Sequence, residues 1–128
     1  MRLLIDAHAL LWAVDDPARL SNAATTALQD PANQLLISAG TVWEISIKVG
    51  LGKLTLSLPF QQWMDRVFAD LGVLILPITV EYADRQAALP NHHRDPFDRL
   101  LIAQSLTDSI PVVTADGQFD PYGIVRIW

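Results

Sequence analysis

No cysteine occurs anywhere in the 128 residues. That absence removes disulfides, zinc–thiolate sites and thiol nucleophiles together, and it fits a reducing cytosol. Positive charge is also scarce. Nine Lys and Arg stand against fourteen Asp and Glu, for a formal net charge of −5, so the chain lacks the basic surplus that holds nucleic acid by bulk electrostatics. Long apolar runs are missing too. The opening stretch has a basic residue and apolar segments, but Asp6 and His8 interrupt it before it reaches the length of a signal-peptide core. No run approaches the ~18 apolar residues of a membrane span. A soluble, cytoplasmic protein without membrane association is expected.

What is present is core material. Hydrophobic residues make up 51% of the chain, slightly above the usual share of about 45–50%. A chain of this length buries about two thirds of its unfolded surface, so residues 1–128 read as one domain with one core. Short apolar runs at 3–5, 35–38, 73–78, 111–114 and 124–127 read as strands, 73–78 being strongly apolar. Between them, 7–14, 20–29, 41–49, 59–71, 79–89 and 96–109 read as helices. In 59–71, Phe60, Trp63, Met64, Val67, Phe68 and Leu71 recur at spacings of three and four, and Gly72 ends the helix. Near-continuous apolar strands separated by helices specify an α/β domain, with a central mostly parallel sheet flanked by helices on both faces. In such a sheet, strand C-termini and the following helix N-termini share one edge, where ligands bind.

Four acids fall at that edge, and each has an ordinary explanation. Asp6 follows the first strand and suits the N-cap of the next helix. Glu44 comes three residues after Thr41, a capping-box spacing, and four before Lys48, a favourable helical ion pair. Asp95-Pro96-Phe97-Asp98 is a helix-start signature that explains Asp95 well and Asp98 only in part. Asp116 sits in an Asp-Gly turn just past a strand.

Their joint placement is unexplained by capping. Asp6 and Asp116 end strands, while Glu44 and Asp98 begin helices antiparallel to those strands. Gathered carboxylates repel one another unless protons or hard cations occupy the cluster, and Mg²⁺ or Mn²⁺ prefer oxygen ligands. Such a site supports phosphodiester hydrolysis by metal-activated water. It needs no side-chain nucleophile, and Ser46 and Ser105 lie in helical patterns without a nucleophile elbow. His8 is expected to pack or cap near the site, and His92 and His93 to be solvated in the polar loop 90–94. Trp12, Trp43 and Trp63 occupy apolar helical positions and read as core.

The stretch from Leu3-Leu4-Ile5-Asp6 to Trp12 resembles the opening of PIN-domain toxins of the VapC type. Thr41-Val42-Trp43-Glu44-Ile45, Arg94-Asp95-Pro96-Phe97-Asp98-Arg99 with Leu100 to Gln104, and Val113-Thr114-Ala115-Asp116 resemble the family's later acidic motifs. The likeness spans nearly the whole chain. It implies the toxin of a type II toxin–antitoxin pair: a Mg²⁺- or Mn²⁺-dependent endoribonuclease acting on RNA, usually a homodimer, silenced by a cognate antitoxin protein. By position it assigns Asp6, Glu44, Asp98 and Asp116 to catalysis and metal binding, Asp6 and Asp98 as principal ligands, and Thr114 as a supporting hydroxyl. Ala7 departs from the Thr or Ser of many relatives and removes one hydrogen bond. A haloacid-dehalogenase-type phosphatase would need an acid where His8 stands, and a receiver domain would need paired early acids. The alternative of another class is a catalytically silent binding module whose acids only cap helices.

Overall fold

The computed structural model describes residues 1–128. In chain order the elements are β1 Arg2–Ile5, α1 Ala7–Asp15, a 3₁₀ turn Pro17–Arg19, α2 Asn22–Gln29, β2 Gln34–Ser38, α3 Ala39–Gly50, α4 Phe60–Leu71, β3 Leu74–Leu76, α5 Val80–Ala87, α6 Pro96–Asp108, β4 Val112–Val113, a 3₁₀ helix Gly117–Tyr122, and β5 Arg126–Ile127. All strand pairs are parallel, in the order β3-β2-β1-β4-β5. The expected α/β architecture is therefore the observed one, with the sheet wholly parallel.

Strand periodicity sorts the core. Leu3 and Ile5 of β1, Leu35 and Ile37 of β2, and Val113 of β4 point to one face, where they meet Ala9, Leu10, Ala24, Leu28, Trp63, Met64 and Val67. Their neighbours Leu4, Leu36 and Val112 point to the other, against Leu101, Ile102, Ala103 and Phe119. Successive side chains of a strand alternate in direction, so a continuous apolar run serves two cores at once. The β1 strand is central, and the chain builds outward from it to β2 and β3 on one side and to β4 and β5 on the other. The change of direction opens a crevice at the C-terminal ends of β1 and β4.

Three local readings are revised. The α3 helix begins at Ala39 with the Ser38 hydroxyl as its cap, accepting from the Gly40 N–H at 3.1 Å. The Thr41–Glu44 capping box is thus absent, and Glu44 lies in the second turn. Trp43 is 65% exposed, on the helix face away from both cores, whereas Trp63 is fully buried and its indole N–H donates to Asp15 at 3.1 Å. The third strand is short and forms the sheet edge, which leaves Leu74 and Ile75 exposed where a buried strand was expected. Ser21 caps α2, and Gly72, read from the sequence as the end of α4, ends it in the left-handed conformation.

Candidate active site

The crevice is a cleft of about 100 Å³ lined by Asp6, Thr41, Glu44, Asp98 and Asp116, with His8, Lys48 and Asp95 at its walls. All four acids expected from the sequence are thus brought together. Asp6 leaves β1 and caps α1, its Oδ1 accepting from the Ala9 N–H at 2.8 Å. Its Oδ2 accepts a 2.5 Å hydrogen bond from the buried Thr114 hydroxyl. That same hydroxyl oxygen accepts from the Asp116 N–H at 3.0 Å. Thr114 therefore ties the end of β1 to the loop after β4.

Asp116 caps the following 3₁₀ helix, accepting from the Gln118 N–H at 2.9 Å. Glu44, almost wholly buried, is held by Lys48 at 2.8 Å. This is the helical pair read from the sequence. The ammonium answers by a pKa raised through its hydrogen bond to that carboxylate.

Helix α6 starts as a division of labour. Asp95 caps it, accepting from the N–H groups of Phe97 and Asp98 at 2.8 and 3.1 Å, and Pro96 occupies the first position. That leaves the Asp98 carboxylate free to face the cleft. Half-burial, followed by the charges of Asp95, Glu44, Asp116 and Asp6, raises its pKa to about 7. Asp6 is also raised, chiefly by burial, against the lowering effect of its two hydrogen bonds. Arg99, one residue after Asp98, is buried and donates to the carbonyls of Gln86, Leu89, Pro90 and His93 at 3.0–3.3 Å. It fixes the loop that leads into the helix.

Helix α3 reaches the site because Gly40 lets it approach α6. A Cβ built on Gly40 would lie 2.4 Å from Leu100 Cδ2. Glu44 is one turn further along the same side of the helix.

The structure also brings in His93, which the sequence reading left in solvent. Its side chain is buried, and Nε2 lies 3.7 Å from Asp116 Oδ2. One ligand atom each from His93, Asp98 and Asp116 fall within 4.8 Å of one another. The signal available in the sequence was position: His93 stands two residues before the Asp95 cap, where the chain must arrive at the shared edge. His92 stays at the surface, edge-on to Tyr122 at 5.0 Å, as expected of a loop histidine.

The donor set fits a divalent cation. Several carboxylates share a small cleft, two of them hold raised pKa values, and one has no hydrogen-bonding duty, so a bound ion relieves the repulsion they create.

Comparison with known proteins bears on the family and the fold. The family model described as "PIN domain" matches residues 3–124. The chain is 30% identical over 115 residues to Ribonuclease VapC22 of Mycobacterium tuberculosis (strain ATCC 25618 / H37Rv), covering 89% of this chain and 86% of the relative. Among solved structures, it resembles VapBC2 from Rickettsia felis bound to a promoter DNA fragment, with a TM-score of 0.74 and 14% identity across 98% of this chain and 97% of that one. It also resembles Mycobacterium tuberculosis VapC20, described as a sarcin-ricin loop cleaving toxin, with a TM-score of 0.65 and 12% identity over 96% of each chain. With a family match over most of its length and an acidic cleft assembled at the sheet's switch point, the chain belongs to the PIN-domain family.

Proposed function

We propose that the protein is a metal-dependent endoribonuclease, the toxin of a type II toxin–antitoxin pair, with Asp6, Glu44, Asp98 and Asp116 as its catalytic and metal-binding residues. The observation that carries this reading is Asp98. Capping accounts for Asp6 and Asp116, and the pair with Lys48 accounts for Glu44, but the Asp98 side chain caps nothing and faces the other acids at a raised pKa. A binding module whose acids served only as caps would have no reason to retain such a group.

The chemistry a bound Mg²⁺ or Mn²⁺ supplies is activation of water and neutralisation of charge on the scissile phosphate. The protein's part is to hold the carboxylates. Thr114 fixes the orientation of Asp6 and the main chain at Asp116, Asp95 relieves Asp98 of the capping duty, and Arg99 anchors the loop beside them. Beside the carboxylates, a groove of about 420 Å³ is lined by His8 and Trp12, by the cations Arg19, Lys48 and Lys53, and by the acids Asp15, Asp16 and Glu44. Arg19 lies over the Trp12 ring at 5.1 Å. An aromatic ring and cations in one groove suit the bases and backbone of single-stranded RNA, with Lys53 the cation that no carboxylate pairs.

Relatives solved as toxin–antitoxin complexes, including one from Klebsiella pneumoniae, support an antitoxin partner. A homodimer and action in the cytoplasm belong to the same proposal. No helix is long and apolar enough to cross a membrane.

The test is cleavage of total RNA by protein purified without any partner, in Mn²⁺, in Mg²⁺ and in excess chelator. Cleavage that depends on the ion is expected. Full activity in chelator, or none in either ion, sinks the proposal. The same protein should melt at a higher temperature in Mn²⁺, as ligand linkage requires.

A further inference from the structure

His93 is the buried polar side chain whose position the acids alone do not explain. Its residue is 8% exposed, yet neither ring nitrogen has a hydrogen-bond partner. Burying an imidazole unsatisfied is costly, and such groups in folded proteins call for a cause.

The surroundings hold the residue by everything except those nitrogens. Its main-chain N–H donates to the Tyr122 hydroxyl at 2.9 Å, and its carbonyl accepts from Arg99 at 3.3 Å. Phe119 packs edge-on to the ring with centroids 5.4 Å apart, and Tyr122 lies tilted against it at 5.6 Å. The backbone is thus fixed on both sides and the ring wedged between aromatics. At 3.7 Å from Asp116 Oδ2, Nε2 is too far for a hydrogen bond, but it is aimed at the carboxylates.

The spacing matches a shared ligand. One donor atom each from His93, Asp98 and Asp116 lie within 4.8 Å of one another. Around an octahedral divalent ion with bonds of about 2.1 Å, neighbouring donors are about 3.0 Å apart and opposite ones about 4.2 Å, so side-chain rotations that close the three groups by about 1–2 Å place them on one ion. They come from three separate segments: the loop before α6, the first turn of α6, and the turn after β4.

We propose that His93 supplies a nitrogen ligand to a divalent ion held with Asp98 and Asp116, making this a mixed oxygen and nitrogen site that favours Mn²⁺ over Mg²⁺. Both ions accept carboxylate oxygen, but Mg²⁺ gives up its waters reluctantly, so an added imidazole nitrogen favours the more readily dehydrated transition ion. The proposal adds a nitrogen to the oxygen ligands expected from the sequence. The inference rests on reading the acidic cleft as a metal site.

The experiment is pulsed electron paramagnetic resonance on the full-length protein loaded with Mn²⁺, unlabelled and with ¹⁵N-histidine. Coupling to a directly bound histidine nitrogen should appear, change with the label, persist in His8→Gln and His92→Gln, and vanish in His93→Gln. Calorimetry of His93→Gln, with folding checked by thermal melting, should show at least about tenfold weaker Mn²⁺ binding and a smaller change for Mg²⁺. The labelled parent protein reports the coupling even if His93→Gln does not fold. Mn²⁺ bound without histidine coupling, or coupling lost in His8→Gln or His92→Gln instead, overturns the role of His93 while leaving the acidic metal site intact. Equal losses for the two ions in His93→Gln would also overturn it, making the ring a support for Asp116. No Mn²⁺ binding by the parent protein would overturn the metal site itself.

Discussion

Helices α1 and α6 both begin at the cleft, and they solve the same problem differently. At α1 one residue does two jobs: Asp6 caps the helix with one oxygen and receives the Thr114 hydroxyl with the other. At α6 the jobs are split, Asp95 capping and Asp98 facing the acids. Burial raises both carboxylates; at Asp6 two hydrogen bonds oppose the rise, whereas at Asp98 none does and the neighbouring acids add to it, to about 7. Folding energy thus goes into Asp95, and tension between charges is concentrated at Asp98, where an ion can release it.

The largest effect expected from breaking this division is on Asp98→Asn. Losing a direct ligand should cost more than the roughly 10–100-fold typical of an outer partner, read as RNA cleavage in Mn²⁺. Yet the metal-free protein should melt at the same temperature as the parent or higher, because a repelled charge has gone. The pH dependence sharpens the point. With its folded pKa raised from 3.8 to about 7, Asp98 keeps its proton in the folded state over a range where the unfolded chain releases it. Stability from this group is therefore full at low pH and lost as pH rises through about 7. Thermal melts of the metal-free protein between pH 5 and 8 should show that decline, reduced in Asp98→Asn. The buried Asp6, also raised, contributes with the same sign.

Thr114→Val should come next. It removes the donor to Asp6 and the acceptor for the Asp116 N–H, so activity should fall roughly 10–100-fold and stability by about 1–3 kcal/mol. Denaturant melts and cleavage rates should both move, unlike the separation expected for Asp98→Asn. Asp95→Ala should lower stability by about 0.5–2 kcal/mol through loss of the cap, with Mn²⁺ binding retained by the folded fraction in calorimetry. If Asp95→Ala abolished metal binding while Asp98→Asn spared it, the roles assigned to the two residues would be reversed. The smallest effect belongs to Lys48→Gln. Its helical pair joins a half-exposed ammonium to the buried Glu44 and is worth about 0.5–1 kcal/mol, measurable as a shift of the denaturant midpoint.

Much of this arrangement was legible because strand ends and helix starts leave chemical marks. Asp95-Pro96 and Gly72 announced their boundaries, and the apolar runs announced a sheet covered on both faces. What escaped was decided by packing at a distance. Ser38 began α3 early because it lies where β2 ends, so Glu44 reaches the cleft from the second turn along a helix that Gly40 lets settle on α6. Trp43 looked like core by composition but faces outward, since periodicity alone does not say which side of a helix finds a partner. Position on the sheet decided β3, an edge strand with nothing in its sequence to distinguish it from a central one. His93 was misread because its burial comes from Phe119 and Tyr122, some thirty residues away in the chain.

The Thr114 hydroxyl has a kinetic consequence as well. It joins residues 108 positions apart, and the central β1 strand finds β4 only across that same separation. Contacts so distant along the chain form slowly, after the loop between them has been closed. A nascent or truncated chain that stops short of β4 carries Asp6 and Glu44 but has neither Thr114 to orient Asp6 nor Asp116 to complete the set. The cleft is therefore finished only after β4 and the turn behind it have been made and have folded back onto β1, so a chain ending before Thr114 has no complete cleft.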